Sequence, residues 1–222
     1  MSGRNPLPKT FYMRDSKSVA IELLGKVLVR RLSDRCLEGM IVETEAYYGS
    51  DDPASRARNG MKKYNAPMWG EVGLAFIYNV HKEWMLNVVA HESGKVGAVL
   101  IRAIEPLKGV DVMMANRKIY GSIINLTNGP GKLTKALEID KKLNCADLTS
   151  GESPIFISDG GYVIWQKIWL SNRIGVKRDL DIKLRFYIRD NPFVSRKRRS
   201  DLPIDFNAIR FNVNPDQASY NY

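Results

Sequence analysis

The sequence predicts a single α+β domain around a mainly antiparallel sheet with surrounding helices. Three observations carry this. Strand-like segments outnumber helical ones, and several lie close enough in sequence to pair as hairpins. No regular βαβ alternation runs through the chain, which argues against a doubly wound parallel sheet. The 222 residues, 44% of them hydrophobic, suffice for one sizeable core.

The elements follow in order. Residues 1–15 form an arm with Pro6 and Pro8, and residues 1–10 are expected to be flexible. Ser16 to Leu24 reads as a short helix, with Ala20, Leu23 and Leu24 on one face and Gly25 as its stop. Lys26 to Leu32 and Leu37 to Glu45 read as strands joined by Ser33-Asp34-Arg35. In the second strand Ile41, Glu43 and Glu45 share one face by alternation, and two rings follow, Tyr47 and Tyr48. Gly49-Ser50-Asp51-Asp52-Pro53 breaks the strand and opens a long polar loop to Gly70. Loops of that length in a compact domain are usually functional or mobile.

Leu74 to Val80 and Trp84 to Ala90 form a second hairpin, with His81-Lys82-Glu83 at its tip. Val96 to Ile104 is a strongly apolar strand that contains Arg102. Pro106 is expected to begin a helix with Leu107, Val110 and Met114 at helical spacing, the methionine in the core. Asn128-Gly129-Pro130-Gly131 is a tight turn before a helix from Lys132 to Ile139. Strands follow around Pro154 to Ser158, Gly161 to Trp165 and Leu184 to Arg189, and residues 200–222 read as a tail.

Charge narrows the function. There are 34 Lys+Arg against 24 Asp+Glu, a net +10, and the pI is about 9.6. That balance favours an anionic partner, nucleic acid before a membrane surface, although simple solubility would also explain it. The basic stretch from Arg178 ends in Arg196-Lys197-Arg198-Arg199, which could grip phosphates or lie in a solvated loop. Only Cys36 and Cys145 are present, so neither a disulfide framework nor a zinc site is implied and an intracellular setting is expected. His81 and His91 stand too far apart for a metalloprotease pair. No apolar stretch nears the ~20 residues of a membrane span, and the first residues lack a signal-peptide core. No metal or organic cofactor is expected.

Taken singly, the candidate motifs are weak. Glu43 and Glu45 could serve as a base toward water or stabilise a cationic transition state, but alone they read as a solvated strand face. Arg102, costly in an apolar strand unless paired, would join a catalytic glutamate or a structural ion pair. The second hairpin offers Tyr78, His81, Trp84 and Asn87 near a tip that could act as a wedge in DNA. The Gly129-Pro130-Gly131 turn could meet a phosphate. It is not a P-loop, because Leu126 and Leu133 stand where that motif needs Gly and Ser or Thr.

Together and in order, these runs resemble the mammalian-type alkyladenine (3-methyladenine) DNA glycosylase family. The matching segments include Leu23-Leu24-Gly25-Lys26-Val27-Leu28-Val29-Arg30-Arg31, Val42-Glu43-Thr44-Glu45-Ala46-Tyr47 and Asp52-Pro53-Ala54-Ser55. Further on come Trp84-Met85-Leu86-Asn87-Val88-Val89, Leu100-Ile101-Arg102-Ala103-Ile104-Glu105-Pro106, Gly129-Pro130-Gly131-Lys132-Leu133 and Arg173-Ile174-Gly175-Val176. The likeness spans about residues 11–195.

The resemblance implies a curved sheet with a protruding, DNA-contacting hairpin, and a monomer acting on double-stranded DNA that contains damaged purines. Glu45 would activate the attacking water and Arg102 would position it. Tyr47 and Tyr78 would sandwich the extruded base, and Asn87 would line the pocket floor. The turn at Gly175 would supply backbone groups near the water. His81 or Val80 would fill the gap in the duplex, and Lys82, Lys132, Arg196, Lys197 and Arg198 would meet the DNA backbone.

Two departures stand out. Arg56 occupies a place where the family usually has a histidine, and an arginine is permanently charged and accepts no hydrogen bond. The tip Asn79-Val80-His81-Lys82-Glu83 is about one residue short and lacks the family's intercalating tyrosine. Two other readings are a non-catalytic nucleic-acid binder on the same fold and a helix-hairpin-helix glycosylase. The latter predicts a mostly helical domain.

Overall fold

The strand that carries both glutamates, β2 (Cys36–Tyr47), is the spine of the molecule. The protein is described by a computed structural model covering residues 3–160, 167–197 and 200–204. β1 (Val27–Arg31) pairs with the first half of β2, from Val27↔Met40 to Arg31↔Cys36. Beyond it β8 (Arg185–Ile188) takes over the same edge, from Glu43↔Tyr187 to Glu45↔Arg185. The other edge pairs with β5 (Ala98–Lys108).

The hairpin of β3 (Ala75–Val80) and β4 (Glu83–Val89) adds to β5, while β7 (Ile168–Ser171) and β9 (Leu202–Pro203) extend the β8 side. β6 (Ile155–Ser158) borders β1. These nine strands make one open, curved sheet ordered β3-β4-β5-β2-β8-β7-β9, with β1 and β6 branching from β2 and every ladder antiparallel. The expected α+β class with a mainly antiparallel sheet is the observed one.

Short helices cover the sheet. α1 (Lys9–Tyr12) precedes α2 (Ser16–Glu22), whose Asp15 cap accepts the amides of Lys17 and Ser18 at 3.0 and 3.1 Å. α2 buries Val19, Ala20 and Ile21, and Thr44 donates to the Ala20 carbonyl at 2.7 Å, which pins the helix to β2. α3 (Val110–Arg117), α4 (Ile124–Thr127) and α5 (Pro130–Ala136) pack on the β4–β5 side, where Thr134 donates to the Trp84 carbonyl at 2.9 Å. No helix among the described residues is long and apolar enough to cross a membrane.

Several expectations change. The strand containing Arg102 runs on through Pro106 to Lys108, and the helix begins only at Val110. Proline is tolerated there because β5 beyond Leu100 has one ladder partner, not two. Part of the arm lies against the sheet: Pro6 bridges to Ser158, and the Leu7 amide donates to the Ile157 carbonyl at 2.8 Å. A short helix, α4, does precede the Gly129-Pro130-Gly131 turn, but the sheet dominates the architecture, unlike a helix-hairpin-helix domain. β7 and β9 were not anticipated. The strand expected at Gly161 to Trp165 lies outside the described residues.

The long loop is built, not slack. Asp52, Ser55 and Asn65 are fully buried and serve its backbone: Asn65 Nδ2 donates to the Arg56 carbonyl at 2.7 Å, and Asp52 accepts the amides of Tyr48 and Ala54 at 3.0 Å each. These polar contacts act beside a hydrophobic anchor, Ala57 and Met68, which are buried against Phe76, Val89 and Ala98.

Candidate active site

Sheet register gathers the predicted residues. Phe76, Asn87, Leu100, Glu45 and Arg185 are successive cross-strand partners on β3, β4, β5, β2 and β8. Directly opposed residues share a face, as do residues two apart on one strand. Tyr78, Asn87, Glu45, Glu43 and Tyr47 therefore look toward the same side. The register between β2 and β5 shifts first between Glu38 and Gly39, where Leu107 is in excess, and twice more beside the glutamates. Ile41 pairs Ile104, Glu43 pairs Ala103 and Thr44 pairs Ile101, so Val42 on β2 and Arg102 on β5 are each one residue in excess. A bulge re-aims the side chain it carries, and here Arg102 reaches both glutamates.

Both glutamates are fully buried, which overturns the solvated strand face. Glu43 Oε1 accepts Nε–H from Arg102 and from Arg185 and the Ser195 hydroxyl, each at 2.8 Å, while Oε2 accepts the Ser195 amide at 2.7 Å. Burial pushes its pKa up, but the charges of Arg102 and Arg185 and the Ser195 amide outweigh it and hold it below the usual carboxylate range. Its donors come from two arginines and Ser195, so Glu43 anchors both guanidinium groups.

Glu45 differs. Oε2 accepts the Tyr47 hydroxyl at 2.7 Å and lies 3.2 Å from Arg102 Nη1, and Oε1 accepts the Ile174 amide at 2.7 Å. Oε1 has one partner among the described residues and keeps an acceptor position. For Arg102, burial lowers the pKa, but Glu45 and Glu43 raise it further, so the cation is secure. The Tyr47 hydroxyl is held as the neutral donor, by burial first and then by Glu45.

A cavity of about 720 Å³ opens over this group, walled by Tyr47, Tyr78, Arg56, Leu100, Arg102 and the Ile174–Gly175 turn. Gly175 has φ +80, a left-handed conformation that suits glycine. Each tyrosine ring carries a guanidinium: Arg173 lies 4.5 Å from the Tyr47 centroid and Arg56 4.7 Å from that of Tyr78. Arg173 is buried and its fork is full. It donates to both Asp52 oxygens at 2.6 and 2.7 Å, to Asp179 through Nε at 2.9 Å and Nη2 at 2.6 Å, and to the Ala46 carbonyl at 2.9 Å. It ties the end of β2 to the polar loop and to the turn bearing Ile174. A second cavity, of about 750 Å³ beside Asp15, Tyr48, Trp69 and His91, contains none of the predicted site residues.

The remaining candidates are placed as follows. Asn87 is buried beside Leu100 in the ladder and is not among the residues lining the cavity, its Nδ2 donating to the Phe76 carbonyl at 3.0 Å and the Met85 carbonyl at 3.3 Å. Val80 lines the cavity. His81 and Lys82 form the exposed two-residue tip, both left-handed with φ 48 and 71, the conformation a tight hairpin turn demands. Lys132, one turn into α5, donates to Asn128 Oδ1 at 2.7 Å. Arg196 and Lys197 are exposed and do not line the cavity; Arg198 lies outside the described residues.

The sequence reading missed several groups. Arg185, counted in the basic stretch, turns inward and is fully buried against Glu43. Arg58, Lys177 and Arg178 are exposed cations on the cavity rim. Arg173 was matched but given no task, and Asp52, 121 positions away, gave no local sign of their pairing.

The arrangement offers a buried carboxylate with an open acceptor position, a fixed cation beside it, two aromatic walls and a cationic rim. That set can hold a flat ring, activate water and stabilise a positively charged sugar next to an anionic backbone.

Comparison with known proteins agrees. The family model for methylpurine-DNA glycosylase matches residues 10–192. A protein from Aeropyrum pernix, named "Putative 3-methyladenine DNA glycosylase", is 41% identical over 198 residues, covering 89% of this chain and 96% of its own. Proteins of the same name from Koribacter versatilis (40% identity, 87% and 94% covered) and Carboxydothermus hydrogenoformans (43%, 86% and 99%) are similar over the same extent.

Proposed function

The chain belongs to the methylpurine-DNA glycosylase family, and from that premise we propose that it is a monofunctional DNA glycosylase that extrudes alkylated or deaminated purines from double-stranded DNA. It cleaves their N-glycosidic bond and leaves an abasic site, the first step of base excision repair. The substrates are of the 3-methyladenine, 7-methylguanine, hypoxanthine and ethenoadenine class, and the protein works as a monomer.

The observation that carries this reading is the contrast between the two glutamates. Glu43 is clamped by Arg102, Arg185 and Ser195, of which only Arg102 lines the cavity, whereas the groups that hold Glu45, namely Tyr47, Arg102 and Ile174, all wall it, and Glu45 Oε1 keeps an acceptor position. A water there gives its proton to Glu45 as its oxygen bonds to C1′, and the C1′–N9 electron pair departs with the base. The carboxylate also stabilises the oxocarbenium-like sugar. Arg102 and the Ile174 amide hold Glu45 in place. Tyr47 and Tyr78 take the base between them, with Asn87 below. With water rather than an amine as nucleophile, no lyase step follows. His81 or Val80 fills the vacated stack, and Lys82, Lys132, Arg196, Lys197 and Arg198 meet phosphates.

The test is single-turnover excision on duplexes carrying hypoxanthine, ethenoadenine or 7-methylguanine, by the wild type and Glu45→Gln. Abasic product from the wild type, reduced about 10²- to 10⁴-fold in the variant with DNA binding kept, is the expected result. No product on any lesion with binding intact would replace this reading by the non-catalytic binder.

A further inference from the structure

We propose that Arg56 selects neutral purines presenting a carbonyl oxygen and disfavours cationic N-alkylated purines. This rests on the glycosylase reading above and concerns the leaving base alone.

The two aromatic walls look alike but differ in charge. Behind Tyr47, the Arg173 guanidinium is answered by the Asp52 and Asp179 carboxylates, and its five N–H groups are all accepted. On that wall the cation is fully engaged, facing two carboxylates. Against Tyr78, the Arg56 guanidinium sits 4.7 Å from the ring centroid, lines the cavity and has no carboxylate within ion-pair distance among the described residues. Its backbone is fixed by Asn65 Nδ2 at 2.7 Å, on a loop pinned by Asp52 and Ser55. The charge is therefore held beside the stacking ring instead of wandering on a mobile chain.

Two consequences follow. The electron-rich face of a tyrosine attracts a cationic ring, but on Tyr78 a guanidinium already engages that attraction. A cationic base entering the cavity meets a like charge at short range in a setting that screens it poorly. A neutral purine meets a donor: Arg56 can give an N–H to a ring carbonyl. The advantage grows during bond cleavage. A neutral base departs with the C1′–N9 electron pair as an anion and later takes up a proton, so the guanidinium faces increasing negative charge. A cationic alkylpurine departs as a neutral molecule, and Arg56 gains nothing from its departure.

The experiment is single-turnover excision of hypoxanthine and of 7-methylguanine, each rate divided by the spontaneous depurination rate of the same duplex. The proteins are the wild type, Arg56→Gln, Arg56→Lys and, as a second uncharged replacement, Arg56→His at pH 8. The hypoxanthine-to-7-methylguanine ratio is expected to fall tenfold or more in the Gln and His variants, with the two rates moving in opposite directions. Arg56→Lys is expected to stay near the wild-type ratio. Equal loss on both lesions would overturn the inference, because it would assign Arg56 to the DNA backbone. A Lys variant behaving like Gln would overturn it by removing charge as the cause. No product from the wild type on either lesion would instead defeat the glycosylase reading, and this inference with it.

Discussion

Glu43 Oε1 receives the Nε–H of Arg102 at 2.8 Å, at the place where β2 and β5 slip past one another by one residue each. The paired bulges turn Arg102 out of the ladder and Glu43 holds it there. The same arginine reaches Glu45 through Nη1 at 3.2 Å, so the position of Glu45 depends on a second buried carboxylate.

Removing that anchor should therefore harm both stability and rate. Glu43→Gln leaves Arg102 and Arg185 without their shared counter-ion in a buried site. Breaking one side of a buried pair costs about 3–5 kcal/mol. Urea unfolding should show a lowered midpoint, and excision by the folded fraction should drop. Glu45→Gln should lose rate with much less loss of stability. Equal unfolding midpoints for Glu43→Gln and wild type would remove the anchor role.

Arg173→Lys should be nearly as disruptive despite keeping the charge. A lysine offers three donors on a flexible stem and cannot span Asp52, Asp179 and the Ala46 carbonyl in one plane. Several kcal/mol of stability, on the order of 2–4, should be lost. Tyr47 and the Ile174 amide should also lose their alignment. A thermal scan combined with kcat against KM would read this, the expected change falling mostly in kcat.

Acid should unfold the protein through the same networks. The pKa values of Glu43 and Asp52 are both held below the ordinary carboxylate range: burial opposes this, and the arginines beside them prevail. A depressed folded value means the unfolded state binds more protons in the acid range. The stabilisation is thus complete above the unfolded value of roughly 4 and is lost as pH falls through the lower folded values. Unfolding free energy measured from pH 6 to pH 2 should fall below about pH 4. In Asp52→Asn part of that slope should vanish; an unaltered slope would refute the Asp52 contribution.

The hairpin tip offers a test of the wedge. His81 is exposed in a left-handed turn, where a Tyr adopts the backbone at similar cost. If His81 enters the duplex, His81→Tyr should tighten binding to lesion-bearing DNA about tenfold, within the ~1–3 kcal/mol of an aromatic stack on bases. An unchanged Kd would point to Val80 instead.

The rim cations should act without regard to sequence. Arg178→Ala is expected to weaken binding to damaged and undamaged duplexes alike and to reduce the slope of log K against log salt by about one. A titration at four salt concentrations distinguishes this from a base contact, which would change lesion preference and leave the slope alone.

Much of the molecule was legible in the chain itself. Alternating apolar patterns and turn residues marked β1 to β6 and β8, because strand geometry is written two residues apart. The resemblance carried by the order of short motifs implied one site for Glu45, Tyr47, Tyr78, Asn87 and Arg102. What the chain did not disclose is which side chains are paired. Glu43 and Glu45 look equivalent in sequence, yet Glu43 is clamped by Arg102, Arg185 and Ser195 while Glu45 is held by groups that wall the cavity. Arg185 and Arg178 sit in one basic stretch, yet one is buried and the other lies on the rim. Arg173 and Asp52 meet across 121 positions, and Arg56 rests on Tyr78 with no counter-ion among the described residues. Local sequence fixes backbone geometry over a few residues. Charge compensation and burial depend on partners brought together by the folded sheet, and those partners decide what each ionised group can do.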